Sequence, residues 1–146
     1  EHQEALDAFS KATTLSGNVH EAWNYKGYVF EEIGKHQEAL DAYDKAIQIK
    51  PDFVIAFNNK GLLQDTMGNH LEAIETYNKA LTIKPDLDIA WFNKACAEAL
   101  LSNKEGALSS LKKAIELNQS FKRIARTNPD FSKIKDDPDF INVVGN

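Results

Sequence analysis

Four histidines, one cysteine and 22 side-chain carboxylates are the groups in this 146-residue chain that could do chemistry. Imidazole is the commonest protein ligand for zinc, and His2, His36 and His70 recur at a fixed step of 34 residues. That regularity argues against a shared ion. Equivalent residues on stacked repeats sit at helix-packing distance, about 8–10 Å, whereas zinc holds its nitrogens at about 2 Å. The three read as solvated residues at equivalent helix starts, and His20 is isolated in sequence. Cys96 has no sequence neighbour that would activate a thiolate, so it reads as a small residue that is buried or lines a groove. A single cysteine excludes an internal disulfide and any multi-cysteine metal site. No glycine-rich phosphate loop, GxSxG elbow or HExxH helix occurs. The expectation is a chain that is not an enzyme and takes no metal or cofactor.

The step of 34 belongs to the whole sequence. Residues 22–34 (AWNYKGYVFEEIG), 56–68 (AFNNKGLLQDTMG) and 90–102 (AWFNKACAEALLS) are variants of one block. A second block follows each: HQEALDAYDKAIQIKPD from His36, HLEAIETYNKALTIKPD from His70 and KEGALSSLKKAIELNQS from Lys104. A partial copy, HQEALDAFSKATTLSGN, opens at His2. Such a period is the mark of stacked helix–turn–helix units.

Apolar residues at three- and four-residue steps, such as Ala5, Leu6, Phe9, Ala12 and Leu15, predict a leading helix over 2–16. Further helices are expected at about 20–33, with partners at 36–49, 70–83 and 104–117. Gly34 and Gly68 suit the left-handed residue that closes a helix, and Ser102-Asn103 takes that place in the third copy. Lys50-Pro51 and Lys84-Pro85 stop the second helices. Three hairpins and a leading helix make an all-α superhelical solenoid. Its array spans 1–121 (half repeat 1–19, repeats 20–53, 54–87 and 88–121), followed by capping helices in 122–146. Gly27 and Gly61 are expected to face Ala39 and Ala73. Trp23, Phe57 and Trp91 are expected as the large core knobs, against Tyr43, Tyr77 and Leu111 or their neighbours. Two related turns, Asn128-Pro129-Asp130-Phe131 and Asp137-Pro138-Asp139-Phe140, place a capping side chain before a proline at the first helical position. They predict a helix over 120–126 and two short ones after, with Phe131, Ile134, Phe140 and Ile141 covering the open face of the last repeat helix.

The formal charge is −5, with 12 basic and 18 acidic residues in 1–119 against 5 and 4 in 120–146. The acidic array excludes nucleic acid as the expected partner and favours a basic one. No apolar run approaches membrane-spanning length. One cysteine suits a reducing compartment, so a cytoplasmic location is expected. The chain opens in mid-repeat, which predicts that it is part of a longer protein.

The residues Trp23, Gly27, Ala39, Tyr43, Ala46 and Pro51, repeated as Phe57, Gly61, Ala73, Tyr77, Ala80 and Pro85 and again as Trp91, Ala95, Ala107, Leu111 and Ala114, resemble the tetratricopeptide repeat. Ala5, Phe9 and Ala12 match the second half of an earlier repeat. Leu111 for tyrosine and Gln119 for proline depart from the pattern. The tail resembles the NPDF/DPxF closing segment of prokaryotic tetratricopeptide proteins. The resemblance implies a module that binds a protein or peptide on the concave surface made by the first helix of each hairpin.

Helical projection puts Glu21, Asn24, Tyr25, Tyr28, Glu31 and Glu32 on that surface in the first repeat. The second offers Ile55, Asn58, Asn59, Leu62, Asp65 and Thr66, and the third Ile89, Phe92, Asn93, Cys96, Ala99 and Leu100. Asn59 and Asn93 are equivalent. Their amides suit a ladder that holds peptide backbone, as in some arrays of the family, or bonds within the array. The cationic clamp for a terminal carboxylate, known in another subfamily, finds Asn24, Tyr28, Asn59, Ile89 and Asn93 at its positions and is disfavoured. The leading expectation is a scaffold module for a basic, amphipathic segment. Glu31, Glu32 and Asp65 would meet its cations, and Ile89, Phe92 and Leu100 its apolar anchors. The rivals are self-association into a homo-oligomer through 2–16 and a regulatory arm of a larger enzyme.

Overall fold

In a computed structural model of the chain, the described residues are Glu4, Asp7, Ala8, Ser10, Lys11, Leu15 and 17–145. The first six are helical, and the rest of the leading-helix expectation, including Leu6, Phe9 and His2, lies outside the described residues. Beyond them α1 (Val19–Glu32) pairs with α2 (His36–Ile49), α3 (Val54–Thr66) with α4 (His70–Ile83), and α5 (Asp88–Leu100) with α6 (Lys104–Leu117). Then come α7 (Phe121–Thr127), a 3-10 turn (Pro129–Phe131) and α8 (Pro138–Val144). All described secondary structure is helical.

The hairpin bends are alike because the sequence repeats its cap. Gly34, Gly68 and Ser102 take φ of +76°, +82° and +61°. In each bend the next backbone N–H, of Lys35, Asn69 or Asn103, donates to the carbonyl of Phe30, Gln64 or Glu98 at 2.8, 2.8 and 2.9 Å. This six-to-one bond satisfies a carbonyl that the helix end would leave open. Serine bears a side chain in a conformation that costs about 1–2 kcal/mol without glycine.

Within each of the first two hairpins the glycine lies directly against the tyrosine ring of the second helix. A Cβ on Gly27 would stand 2.6 Å from the Tyr43 ring, and one on Gly61 2.6 Å from the Tyr77 ring. Tyr43, Tyr77 and Leu111 are fully buried, and in the third hairpin Ala95 replaces the glycine where Leu111 replaces the ring. The expected knobs are corrected in part: Trp23, Phe57 and Trp91 are only half-buried, Trp91 packing on the edge of the core that holds Leu111, while their neighbours Ala22, Ala56 and Ala90 are buried. Successive helical residues turn by about 100°, so only one of each pair can face the partner helix, and the small one permits the closer approach. The indole also needs an acceptor. Trp91 Nε1 donates to the Pro85 carbonyl at 2.8 Å, which holds that ring at the rim.

A buried polar pair crosses two of the hairpins. Thr76 donates to Gln64 at 2.7 Å, and Ser110 donates to Glu98 at 2.7 Å. The equivalent places in the first hairpin hold Phe30 and Ala42.

The tail is capped as its sequence predicts. Asn128 accepts from the Asp130 N–H at 2.8 Å, and Asp137 accepts from the Asp139 N–H at 2.9 Å. Phe121, Phe131, Ile134 and Phe140 join Phe92, Cys96, Ala99, Leu111 and Ile115 in one core. The tail therefore covers both helices of the third hairpin, not only α6, and Ile141 remains 41% exposed instead of covering it. Lys104 bonds to Asp137 at 2.9 Å and Asp139 at 3.3 Å, and Arg126 donates to the Val144 carbonyl at 2.7 Å. The Lys104 bonds fasten α8 to the array, and the Arg126 bond fastens it to α7.

Candidate interaction surface

The first helices α1, α3 and α5 meet side by side through their asparagines. Asn59 donates to Asn24 at 3.0 Å, and Asn93 donates to Asn58 at 3.2 Å. Of the two readings the sequence left open, bonds within the array describe these amides. Each still keeps a second N–H and acceptor capacity, and Asn24, Asn58, Asn59 and Asn93 are all half-buried.

Around this seam the predicted residues divide into three groups. Tyr28 (50%), Ile55 (52%), Leu62 (44%) and Ile89 (38%) are exposed apolar side chains, with Tyr25 6.4 Å from Tyr28 between ring centres. Glu21 and Glu32 are exposed acids at the α1 end. Glu31 and Asp65 are engaged. Glu31 accepts from the Tyr43 hydroxyl at 2.9 Å, and burial together with that carboxylate pushes the phenol well above its ordinary range. Asp65 pairs with Nδ1 of His70 in a short contact, so His70 is not the solvated turn residue the spacing suggested. Burial raises the Asp65 carboxyl above the usual range, and His70 opposes the shift. His36 is exposed, and His20 lies edge-on against Phe53 at 4.8 Å.

The third group is covered. Phe92 stacks on Phe121 at 4.5 Å and meets Phe131 edge-on at 6.0 Å. Cys96 is buried, with the Asn128 amide 3.6 Å from its sulfur. Burial, then the Asp130 carboxylate, raises its thiol far above the range in which a thiolate forms. Phe92 and Cys96 therefore do not line an open groove; the Asn128–Phe131 turn lies over them. The reason is that three phenylalanines of the tail bury more apolar area on this face than solvent would leave uncovered. Leu100 is half-buried beside that turn, its carbonyl accepting from Lys133 at 3.4 Å.

Lys26, Lys60 and Lys94 point away from the seam. Lys26 and Lys94 lie over the Trp23 and Trp91 rings at 4.7 and 5.2 Å, and Lys60 pairs with Asp44 at 2.6 Å. The described residues hold no group of three or more histidine, cysteine or acidic side chains placed to bind a metal.

The sequence profile of the tetratricopeptide repeat matches residues 20–53, 54–87 and 89–121. The chain belongs to the tetratricopeptide repeat family. No curated protein matches it. Among solved structures it is similar to the crystal structure of MamA, at 29% identity over 84% of this chain and 71% of the other, with a TM-score of 0.71. A MamA RS-1 double mutant superposes at a TM-score of 0.74 with 18% identity, over 98% and 83% of the two chains. The first tetratricopeptide domain of Spaghetti (RPAP3), solved with the HSP90 peptide SRMEEVD, gives 0.67 at 19% identity, over 80% and 86%. At such identities the last two show the fold alone.

The tetratricopeptide repeats support a protein–protein interaction module, a fold that is typically a non-enzymatic scaffold. No described helix is long and apolar enough to cross a membrane. Two features of the surface were missed in sequence: the tail as its wall, and the pairing of Asp65 with His70. The bond between Glu31 and Tyr43, by contrast, did leave a trace in the sequence. At the step of 34, Glu31 with Tyr43 becomes Asp65 with Tyr77 and then Ala99 with Leu111, so carboxylate and phenol are lost together.

Proposed function

We propose that this chain binds an extended, amphipathic segment of a partner protein along the first-helix face, with basic residues toward α1. The observation that carries this reading is the exposed apolar stripe Tyr28, Ile55, Leu62 and Ile89, bordered by the acids Glu21 and Glu32. Water-exposed leucine and isoleucine in register on successive repeats offer anchor sites, and half-buried asparagines beside them offer donors to a peptide backbone. Phe92 and Cys96 drop out as anchors, so the face available runs from α1 to Ile89. The array 1–121 and the cap 122–146 act as one unit, the cap closing the apolar end as in the prokaryotic NPDF-type segments it resembles. The HSP90 peptide held by Spaghetti is acidic in its last residues, and the present face lacks the cations such a ligand needs.

A fluorescein-labelled decapeptide carrying Arg-Leu-Leu-Arg-Leu-Leu, followed by fluorescence anisotropy at low salt, tests the reading. Leu62→Ser and Glu32→Lys are each expected to weaken binding about tenfold without lowering the melting temperature. Binding unchanged by both variants would sink it. A second reading, homo-oligomerisation through 2–16, rests on Leu15, which is 84% exposed. Light scattering that finds one monomeric mass at every concentration would remove that reading.

A further inference from the structure

Trp23, Lys26 and Phe30 follow one another at three- and four-residue steps along one side of α1. With Glu38, Asp41, Ala42 and Lys45 of α2 they line an open cavity of about 310 Å³. Its floor is special to the first hairpin. At the step of 34, Phe30 with Ala42 becomes Gln64 with Thr76 and then Glu98 with Ser110. The later pairs close on themselves through hydrogen bonds of 2.7 Å, whereas the first leaves a ring face and a methyl group. That floor already holds a cation. Lys26 Nζ lies 4.7 Å from the centre of the Trp23 ring and 5.5 Å from that of Phe30. Its counterparts meet carboxylates: Lys60 lies 2.6 Å from Asp44, and Lys94 lies 4.0 Å from Glu98. Ser10 and Phe30 stand in the places of Asp44 and Glu98, so two ring faces hold the Lys26 ammonium instead. Across the cavity Glu38 and Asp41 are exposed acids. Asp41 accepts from the neutral Gln37 amide at 3.0 Å, which leaves its charge in place. Lys45 opposes them, but it is drawn along α2 to Gln48 at 3.0 Å.

We propose that this cavity binds a methylated ammonium, the trimethyl-lysine side chain of a partner protein, in exchange for Lys26. The ring quadrupole attracts a cation, and the attraction counts most for a cation that sheds its water easily. A plain lysine brings nothing that Lys26 lacks, and Lys26 is already tethered beside the rings. Trimethyl-lysine is weakly hydrated and lays methyl groups on Trp23, Phe30 and Ala42, so it takes the place while Lys26 turns to water. Glu38 and Asp41 complete the charge balance at the rim. The repeats make a protein–protein interaction module, which assigns the ammonium to a side chain. At about 100° per residue, Trp23, Lys26 and Phe30 lie on the side of α1 opposite Tyr28 and Glu32. The cavity is therefore independent of the groove reading.

Trp91→Phe leaves Trp23 as the single tryptophan, at a position where the second repeat already carries Phe57. Its fluorescence is followed while a glycine–serine peptide holding one trimethyl-lysine is added. Saturable quenching is expected. The unmethylated peptide and the uncharged tert-butyl isostere are each expected to bind about tenfold more weakly. Glu38→Gln with Asp41→Asn, both on the surface, should weaken binding about threefold. Phe30→Gln with Ala42→Thr copies the pair of the second hairpin, so it is expected to stay folded and to lose about tenfold. Lys26→Gln removes the competitor and is expected to tighten binding about threefold. Silence of Trp23, an isostere that binds as well as the cation, or unchanged binding to the Phe30→Gln, Ala42→Thr protein overturns the proposal. Equal or weaker binding to Lys26→Gln overturns it too, and that variant decides if the double replacement unfolds. Tighter binding to phosphatidylcholine vesicles than to the peptide would give the ammonium to a lipid and overturn the protein partner.

Discussion

Gly61 and Tyr77 show how one repeat position dictates another. The ring lies where a Cβ on residue 61 would stand, 2.6 Å from its edge, and a ring held in a packed core cannot give by that much. Gly61→Ala is therefore expected to destabilise the protein by about 1–3 kcal/mol, although alanine is the better helix former. The third hairpin contains the compensated arrangement, Ala95 with Leu111. The double variant Gly61→Ala with Tyr77→Leu should lose less stability than the two single changes summed, as read by urea denaturation. Strict additivity would show that the two positions are independent. Residue spacing predicted the glycines and tyrosines as packing positions but did not show that the tyrosine ring lies directly against the glycine. Periodicity gives the face of a helix, whereas contact across a hairpin depends on how far a side chain reaches. The same limit put Trp23, Phe57 and Trp91 in the core, because size was read before the helical phase that turns Ala22, Ala56 and Ala90 inward.

At the scale of elements, the closing segment makes the third hairpin different from the other two. Phe131 is 1% exposed and covers Phe92 and Cys96. Removing the ring by Phe131→Ala is expected to cost about 3–5 kcal/mol and to open the thiol beneath it. Reaction of Cys96 with a disulfide reagent should be slow in wild type and many-fold faster in the variant under native conditions; equal rates would place the sulfur elsewhere. The latch between Lys104 and the tail adds a dependence on pH. Its hydrogen bond from Lys104 holds the Asp137 carboxyl below the usual range, and Asp137 and Asp139 raise the Lys104 amine. A lowered carboxyl means that the unfolded chain binds more protons, so this contribution is complete above the ordinary carboxylate value, about pH 4, and fades as pH falls through the native value. For Lys104 the sign reverses: its contribution is complete below about pH 10 and fades as pH rises through the native value. Asp65, raised by burial, works against Asp137 on the acid side, since its neutral form is the one the fold favours. Asp137→Asn keeps a capping side chain and removes the charge. Its melting temperature should fall less than that of wild type between pH 5 and pH 3, and parallel curves would refute the latch. The turns themselves were legible, because proline after asparagine or aspartate has one local solution. Where the turn docks was not legible, since that depends on which apolar face the preceding helices leave open.

For the whole molecule, the repeat settles architecture before it says anything of partners. Packing accounts for the alanines, glycines and tyrosines that recur, and bonds between neighbouring first helices account for much of the asparagine ladder. The residues that differ between repeats remain on the surface: Tyr28, Ile55, Leu62, Ile89 and the acids beside them. Their exposure was predicted by helical phase, which continues from one repeat to the next. Phe92 and Cys96 obey the same phase but are covered by a segment outside the period, and no repeat arithmetic could place it. The most direct check on the account is a set of methyl and amide NMR spectra of the chain titrated with the arginine–leucine decapeptide. Shifts are expected at the methyls of Ile55, Leu62 and Ile89 and at the amides around Glu32, with α2, α4 and α6 unaffected. Shifts confined to those second helices, or to the leading helix around Leu15, would contradict it.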